Sequence, residues 1–299
     1  MDPRRLELLL QLSRLGSMRA VAEALDVTTS TVSQQIAALS REVGTPLLEP
    51  DGRHVRLTPA GQRLAGHAVT VLAALEAARL DLDPDAEPAG TVRVAAFASA
   101  VRHALLPVVA TLRAEHPAVQ LHIHEHEPAE ALALIAADEV DLALTYDYDL
   151  APATFDRTTA TRPLGTTAWG LGVRMQDAPD PGQRADALET FARFRGHDWI
   201  VNSRNTADEH AARTIASLAG FTPRVTHRAD SLELVQDMIR AGLGVGLLPL
   251  RLPADPGIRI LPLADPGLTL RSYAVTRAGR SSWPPLALLL RLLDGVQLQ

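Results

Sequence analysis

Between Thr58-Pro59 and a run of acids and prolines that begins at Asp83, small and apolar side chains fall at Leu64, Ala68, Val71, Leu75, Ala78 and Leu82, spaced 4, 3, 4, 3 and 4 residues apart. That spacing keeps a single stripe on one side of an uninterrupted helix of roughly six or seven turns. Thr58 reads as its cap and Pro59 as its first-turn residue. A rod of this kind has two outlets for its stripe, the chain's own core or a second copy of the same rod. The a/d form of the seam favours the second. The rod stops at residues 83 to 90, where Pro84, Pro88, Gly90 and the acids spread from Asp81 to Glu87 mark an exposed linker and a domain boundary.

The rod thus divides a chain of 299 residues into a small head and a larger body. Its apolar content of 46% is enough to give each a core. All 29 basic residues are arginine and cysteine is absent, which excludes disulfides, zinc-thiolate and iron-sulfur sites, thiol nucleophiles, Schiff-base lysines and P-loop lysines. The net charge is -6, unevenly spread: residues 1 to 66 hold 8 Arg against 7 acids, net +1, which leaves -7 for the rest. That balance alone does not indicate nucleic acid. The first residues do not read as a secretory signal, and no run reaches the roughly 18 uncharged apolar residues of a membrane span. A cytoplasmic location and no membrane partner are expected.

Three short helices and a hairpin are predicted for the head. The first runs from Pro3 to Leu15, with Leu6, Leu9 and Leu10 at helical spacing, and Gly16 ends it. Ser17 caps a second from Met18 to Leu25, followed by a turn at Asp26-Val27. Thr28 caps a third whose Val32, Ile36 and Leu39 point inward. Its outer face holds Thr29, Ser30, Thr31, Ser33, Gln34 and Gln35, although solvated helices usually carry Glu, Lys and Arg, which favour helix more than Thr and Ser do. Short donors and acceptors suit close approach to base edges in a major groove; a polar face of casual composition would look the same. The hairpin shifts that balance. Leu47-Leu48-Glu49 and Val55-Arg56-Leu57 flank an Asp51-Gly52 turn, and a hairpin beside a recognition helix is a wing whose Arg53 and Arg56 can reach phosphates or the minor groove. Thr28, Thr29, Ser30, Thr31, Ser33, Gln34, Arg53 and Arg56 are therefore the candidate contacts to double-stranded DNA.

From Thr91 strands and helices alternate. Strands are predicted at Thr91 to Phe97, Val119 to Glu127 and Val140 to Tyr146, with helices at Ser99 to Glu115, broken near Pro107, and Ala129 to Ala137. The order recurs with Trp199 to Ser203, Ala207 to Ala219, Arg224 to His227, Ser231 to Ala241 and Val245 to Leu248. Parallel sheet covered by helices follows, in two similar α/β halves with a cleft between them. Ligands of such sheets sit beyond the carboxyl ends of strands.

The run Gly16-Ser17-Met18, Ala22-Glu23, Leu25, Val27, Val32-Ser33, Gln35-Ile36 and Leu39, then Gly52-Arg53-His54-Val55-Arg56-Leu57-Thr58 with Ala60-Gly61, resembles the LysR-type transcriptional regulators, and Ala241 to Pro249 resembles their late Gly-rich strand entry. The likeness spans essentially the whole chain. It implies an α/β protein with a mainly α winged helix-turn-helix at residues 1–58, a linker helix and hinge at 59–89, and an effector domain at 90–299 of two subdomains resembling periplasmic binding proteins, about 90–161 with 268–299 and about 162–267. It implies a homodimer or homotetramer paired through Leu64, Ala68, Val71, Leu75, Ala78 and Leu82, an operator, a small-molecule effector, and contact with the transcription machinery. Ser99 and Ala100 match the turn that contacts effectors in the family, and Tyr146, Asn202 and Ser203 match strand ends that line the cleft; Arg228 is a further candidate partner for an anionic effector. The sequence departs from the family at Thr29, Ser30, Thr31, Gln34 and Pro50, where Gln, Pro, Ala and basic residues are common, and the segment around Asp177 to Arg184 has no counterpart.

Other signals weigh less. His122, His124 and His126 alternate on one face of a strand, but nothing completes a metal shell, and an exposed or interface strand is the expectation. Gly242, Gly244 and Gly246 follow a helix and precede a strand, the wrong polarity for a dinucleotide fingerprint. Ser99 lacks the glycines of a nucleophile elbow, and Asp147 with Asp149 are loop acids. No convergent catalytic set emerges, no cofactor is expected, and the chain is not read as an enzyme. The competing reading is a solute-binding or enzymatic α/β protein with an N-terminal dimerisation module.

Overall fold

The computed structural model describes residues 1–52, 54–83, 86–180, 186–253 and 255–294. In the head, α1 (Pro3–Leu15), α2 (Met18–Ala24) and α3 (Thr29–Val43) are followed by strands β1 (Leu48–Asp51) and β2 (His54–Leu57) and by α4 (Pro59–Leu82). Side chains cap four of these helices by accepting from the first-turn amide: Asp2 from Arg4, Ser17 from Ala20, Thr28 from Thr31 and Thr58 from Gly61. Leu9, Val21, Val32, Ile36, Leu39 and Leu47 form the fully covered centre, closed from below by Ala65, Ala68 and Val69 of α4. At α4's first turn only glycine fits: a Cβ on Gly61 would stand 2.3 Å from the Leu47 carbonyl oxygen.

The body contains β3 (Gly90–Ala96), α5 (Ala98–Ala100), a wide turn of helix (Val101–Leu105), α6 (Leu106–Glu115), β4 (Val119–Glu125), α7 (Pro128–Ala136), β5 (Leu142–Tyr148) and β6 (Thr159–Arg174). These are followed by α8 (Ala187–Arg193), β7 (Asp198–Val201), α9 (Ala207–Leu218), β8 (Arg224–Arg228), α10 (Leu232–Arg240), β9 (Val245–Pro249), β10 (Ile258–Pro262), β11 (Thr269–Arg277) and α11 (Pro284–Leu293). Strand order is β4-β3-β5-β11-β6-β9-β7-β8, with β10 on β6. The triplets β4-β3-β5 and β9-β7-β8 are parallel, as the alternating pattern requires. An all-parallel sheet does not form, however. Antiparallel β11 and β6 join the triplets, and the sequence pattern predicts neither, because their Gly, Thr and Arg content dilutes the apolar alternation that marks a strand.

β6 runs without interruption past residue 161, where the resemblance implies a subdomain boundary: up to Ala168 it pairs with β11, and from Trp169 with β9. The chain crosses back after β10, and the Trp169 amide donates to the Leu268 carbonyl at 2.9 Å, pinning the two crossings together. Gly242 and Gly244 lie between α10 and β9; a Cβ on Gly244 would meet the Asp198 carbonyl at 2.4 Å, so these glycines serve strand packing. Among the described residues no helix is long and apolar enough to cross a membrane.

Candidate functional site

Three surfaces carry the predicted residues: the α3 face with the hairpin, the α4 seam, and a cavity in the body. On α3, the Thr28 hydroxyl is spent on the cap and shares hydrogen bonds of 2.8 Å with Ser30 and Thr31, and Thr31 is half-buried. The outward row that stays open is Thr29, Ser33 and Gln34, which are exposed and carry no side-chain hydrogen bond among the described residues, with exposed Ser30 beside it. Gln35 faces inward to α1, accepting from Arg5 Nε at 3.0 Å. On the hairpin, Arg53 lies outside the described residues. Arg56 is exposed but not free: its guanidinium is 2.8 Å from Glu49 on the neighbouring strand, a weak surface pair that a phosphate could displace. Sequence reasoning passed over Arg4, Arg41 and Arg63, which are exposed cations of the head.

The seam of α4 divides. Ala68 is 1% exposed and Leu64 packs partly against the same core, so the head itself takes up these two predicted pairing residues, because α1 covers that side of the rod. Val71 and Leu75, at 42% and 38% exposure, stay uncovered in the single chain, as do Ala78 and Leu82.

Between the body's halves lies a cavity of about 300 Å³. Ser99, Tyr146 and Asn202 line it. Ala100 does not, being fully buried in the core one residue further along the helix. Ser203 sits beside it, donating its amide (2.8 Å) and its hydroxyl to the lining residue Asp230. Arg228 turns away, because at the end of edge strand β8 its guanidinium is taken by Glu209 at 2.7 Å and the Asn202 carbonyl at 3.1 Å.

The polar groups that dominate the wall were missed. Glu127, 4% exposed before the first turn of α7, accepts from Asn205 Nδ2 at 2.6 Å and the Tyr146 hydroxyl at 3.2 Å. Asp208, in the first turn of α9, accepts from the Tyr148 hydroxyl at 2.8 Å and, with the Asn202 amide nitrogen facing it, from that side chain at 2.9 Å. Desolvation pushes the Asp208 carboxyl up to about 7, against the opposing hydrogen bond from Tyr148. Desolvation also raises Glu127, opposed by Asn205. At the mouth, the Arg102 guanidinium holds Glu233 down to about 2, and the two join the first half of the body to the second. Arg204 spans the same gap, 3.0 Å from Glu125 and 3.2 Å from Asp230. These acids lie on segments far apart in sequence and form a site only when those segments converge, so no local signal marks them.

His122 and His124 share a face of β4, an edge strand, and His126 follows just past its end; the rings of His124 and His126 stack 6.4 Å apart. Among the described residues no group of three or more His, Cys, Asp or Glu side chains is arranged to hold a metal ion.

Comparison with known proteins matches both parts of the chain. Residues 3–62 match the family model described as "Bacterial regulatory helix-turn-helix protein, lysR family", and residues 85–297 match "LysR substrate binding domain". The HTH-type transcriptional regulator IlvY of Escherichia coli (strain K12) is 32% identical over 255 residues, covering 83% of this chain and 82% of that protein. A full-length, singly substituted OxyR from Pseudomonas aeruginosa shares the fold with a TM-score of 0.70 at 19% identity, over 100% of this chain and 96% of that one. Full-length CbnR complexed with target DNA does so at 0.52 and 18%, over 98% of each.

Proposed function

Because the chain belongs to the LysR family of transcriptional regulators, with a DNA-binding head and an effector-binding body, we propose a residue-level division of that work. Residues 1–58 form the reading head, 59–89 the pairing rod and hinge, and 90–299 the body, whose halves are about 90–161 with 268–299 and about 162–267. Thr29, Ser30, Ser33 and Gln34 read base edges in the major groove, while Thr28 and Thr31 hold the helix end in shape. Arg53 and Arg56 anchor the backbone. Val71, Leu75, Ala78 and Leu82 join two protomers, so that paired heads meet a two-fold-related operator in the cytoplasm, and two such dimers can assemble further. The effector occupies the cleft against Ser99, Tyr146 and Asn202. It shifts the relative populations of subdomain arrangements by its differential affinity for them, and with them the spacing of the heads. The cleft's acids serve recognition, and the protein catalyses nothing.

The observation that carries this reading is the open row on α3: exposed side chains with donors and acceptors, Thr29 and Ser33 among them unfavourable for helix, and all bonded to nothing else among the described residues. Genomic footprinting with purified protein, followed by mobility shifts with Ser33→Ala and Arg53→Ala, tests it. Specific affinity is expected to fall in both variants; equal affinity for every duplex before mutation, or unchanged affinity after it, defeats the assignment.

A further inference from the structure

The cleft's charge selects the chemistry of what it binds, an inference that rests on reading the cleft as the effector site. Five carboxylates line the cavity, those of Glu125, Glu127, Asp208, Asp230 and Glu233. Among the described residues the one arginine on the wall, Arg102, is already engaged by Glu233, and His103 and Tyr146 are the remaining titratable groups there. Arg204 at the mouth is shared among Glu125, Glu130 and Asp230, and comes no nearer to Glu127 than 4.0 Å. Glu127 and Asp208 are therefore held chiefly by neutral donors, the hydroxyls and amides of Tyr146, Asn205, Tyr148 and Asn202. A desolvated carboxylate without a cation is a standing cost that an incoming positive charge removes.

A second observation is independent of the acids. Trp169, 7% exposed and on the same wall, has an indole N–H with no hydrogen-bond partner among the described residues. Buried donors are rarely left so; the Trp199 indole is unpartnered as well but sealed in the core, and Trp169 is the one that stands on the cavity wall. Trp169, Phe97 and Tyr146 also line the cavity with aromatic rings, whose faces attract cations.

We propose that the effector is a small organic cation: an amine on an apolar body, its ammonium at the Asp208 and Glu127 end and its body against Phe97 and Trp169. An anion of the same shape meets five carboxylates and no uncommitted arginine. Asp208 faces Tyr148 of β5 and Asn202 beyond β7, with Glu127 and Asp230 as its charged neighbours. Its carboxyl titrates near neutrality, so a cation binds with release of a proton and its affinity rises between pH 6 and pH 8.

The test uses the full-length protein in calorimetry and thermal shift with two shape-matched pairs: tyramine against 3-(4-hydroxyphenyl)propanoate, and isoamylamine against 4-methylpentanoate. The amines are expected to bind and the acids not. Asp208→Asn and Glu127→Gln are each expected to weaken amine binding about tenfold or more, and Asp208→Asn to flatten its pH dependence. A single cooperative melt of the body within a few degrees of wild type shows that both variants fold. Acids binding as tightly as the amines, amines indifferent to both substitutions, or no amine binding at millimolar concentration each overturn the proposal. Ala229→Trp, which fills the cavity wall, separates the two levels. Acid binding lost in this variant keeps the cleft as effector site and sinks its cation selectivity, while amine binding untouched by it sinks the cleft itself.

Discussion

Thr29, Ser33 and Gln34 on α3 bond to no other side chain among the described residues, whereas Glu127, Tyr146 and Asn205 in the cleft bond to one another. Both surfaces are polar, and the difference lies in who satisfies them. An exposed helix face keeps its donors and acceptors in water until a duplex replaces that water, and it needs no internal partners. A cleft wall is desolvated beforehand, so its groups must be paired within the protein or left at a cost. The first kind of surface is built by a single helix. The second needs the ends of β5, β7 and β8 and the starts of α7 and α9 to arrive together.

The largest break in this comparison comes from uncoupling the two surfaces. Gly61→Val drives side-chain atoms into the Leu47 carbonyl and is expected to destabilise the head by about 3 kcal/mol or more. Operator binding is then lost, while ligand-induced thermal shifts of the body persist. Replacing Thr29, Ser33 and Gln34 together with Ala comes next: operator affinity falls on the order of a hundredfold relative to random duplex, with the melting temperature unchanged or slightly raised, since Ala favours helix. In the cleft, Asp208 is raised in the folded protein above its unfolded value, so the native state holds the extra proton between about 4 and about 7. Its contribution to stability is complete at low pH and is lost as pH rises through that window. Asp208→Asn therefore gains stability relative to wild type at pH 8, on the order of 1 kcal/mol, and little at pH 4, as urea melts at the two pH values would show. The smallest effect is expected from Arg56→Ala, which leaves specificity in place and lowers the slope of log affinity against log salt by about 0.9 per protomer.

The head was legible in detail because its signals are local. Caps at Ser17, Thr28 and Thr58 and the inward triad Val32, Ile36 and Leu39 each lie within a few residues of what they specify. The parallel triplets of the body were legible for the same reason. β6 and β11 were not, since long antiparallel strands rich in Gly, Thr and Arg owe their position to neighbours distant in sequence. The cleft was legible in part: Ser99, Tyr146 and Asn202 follow from strand ends, while Asp208 and Glu127 owe their importance to desolvation that only the assembled fold creates. Ala100 and Arg228 lie off the cavity for a related reason, because matching a position in the chain does not settle which way its side chain turns.

The pinning of the two crossings at Trp169 has an optical consequence. Of the three tryptophans in the chain, Trp199 is sealed in the body's interior and Trp283 lies under the Arg280 guanidinium at 4.0 Å. Trp169 alone among them stands both at the point where the halves join and on the cleft wall. Its emission would register closure and occupancy in one signal, an indicator dye supplied by the chain itself.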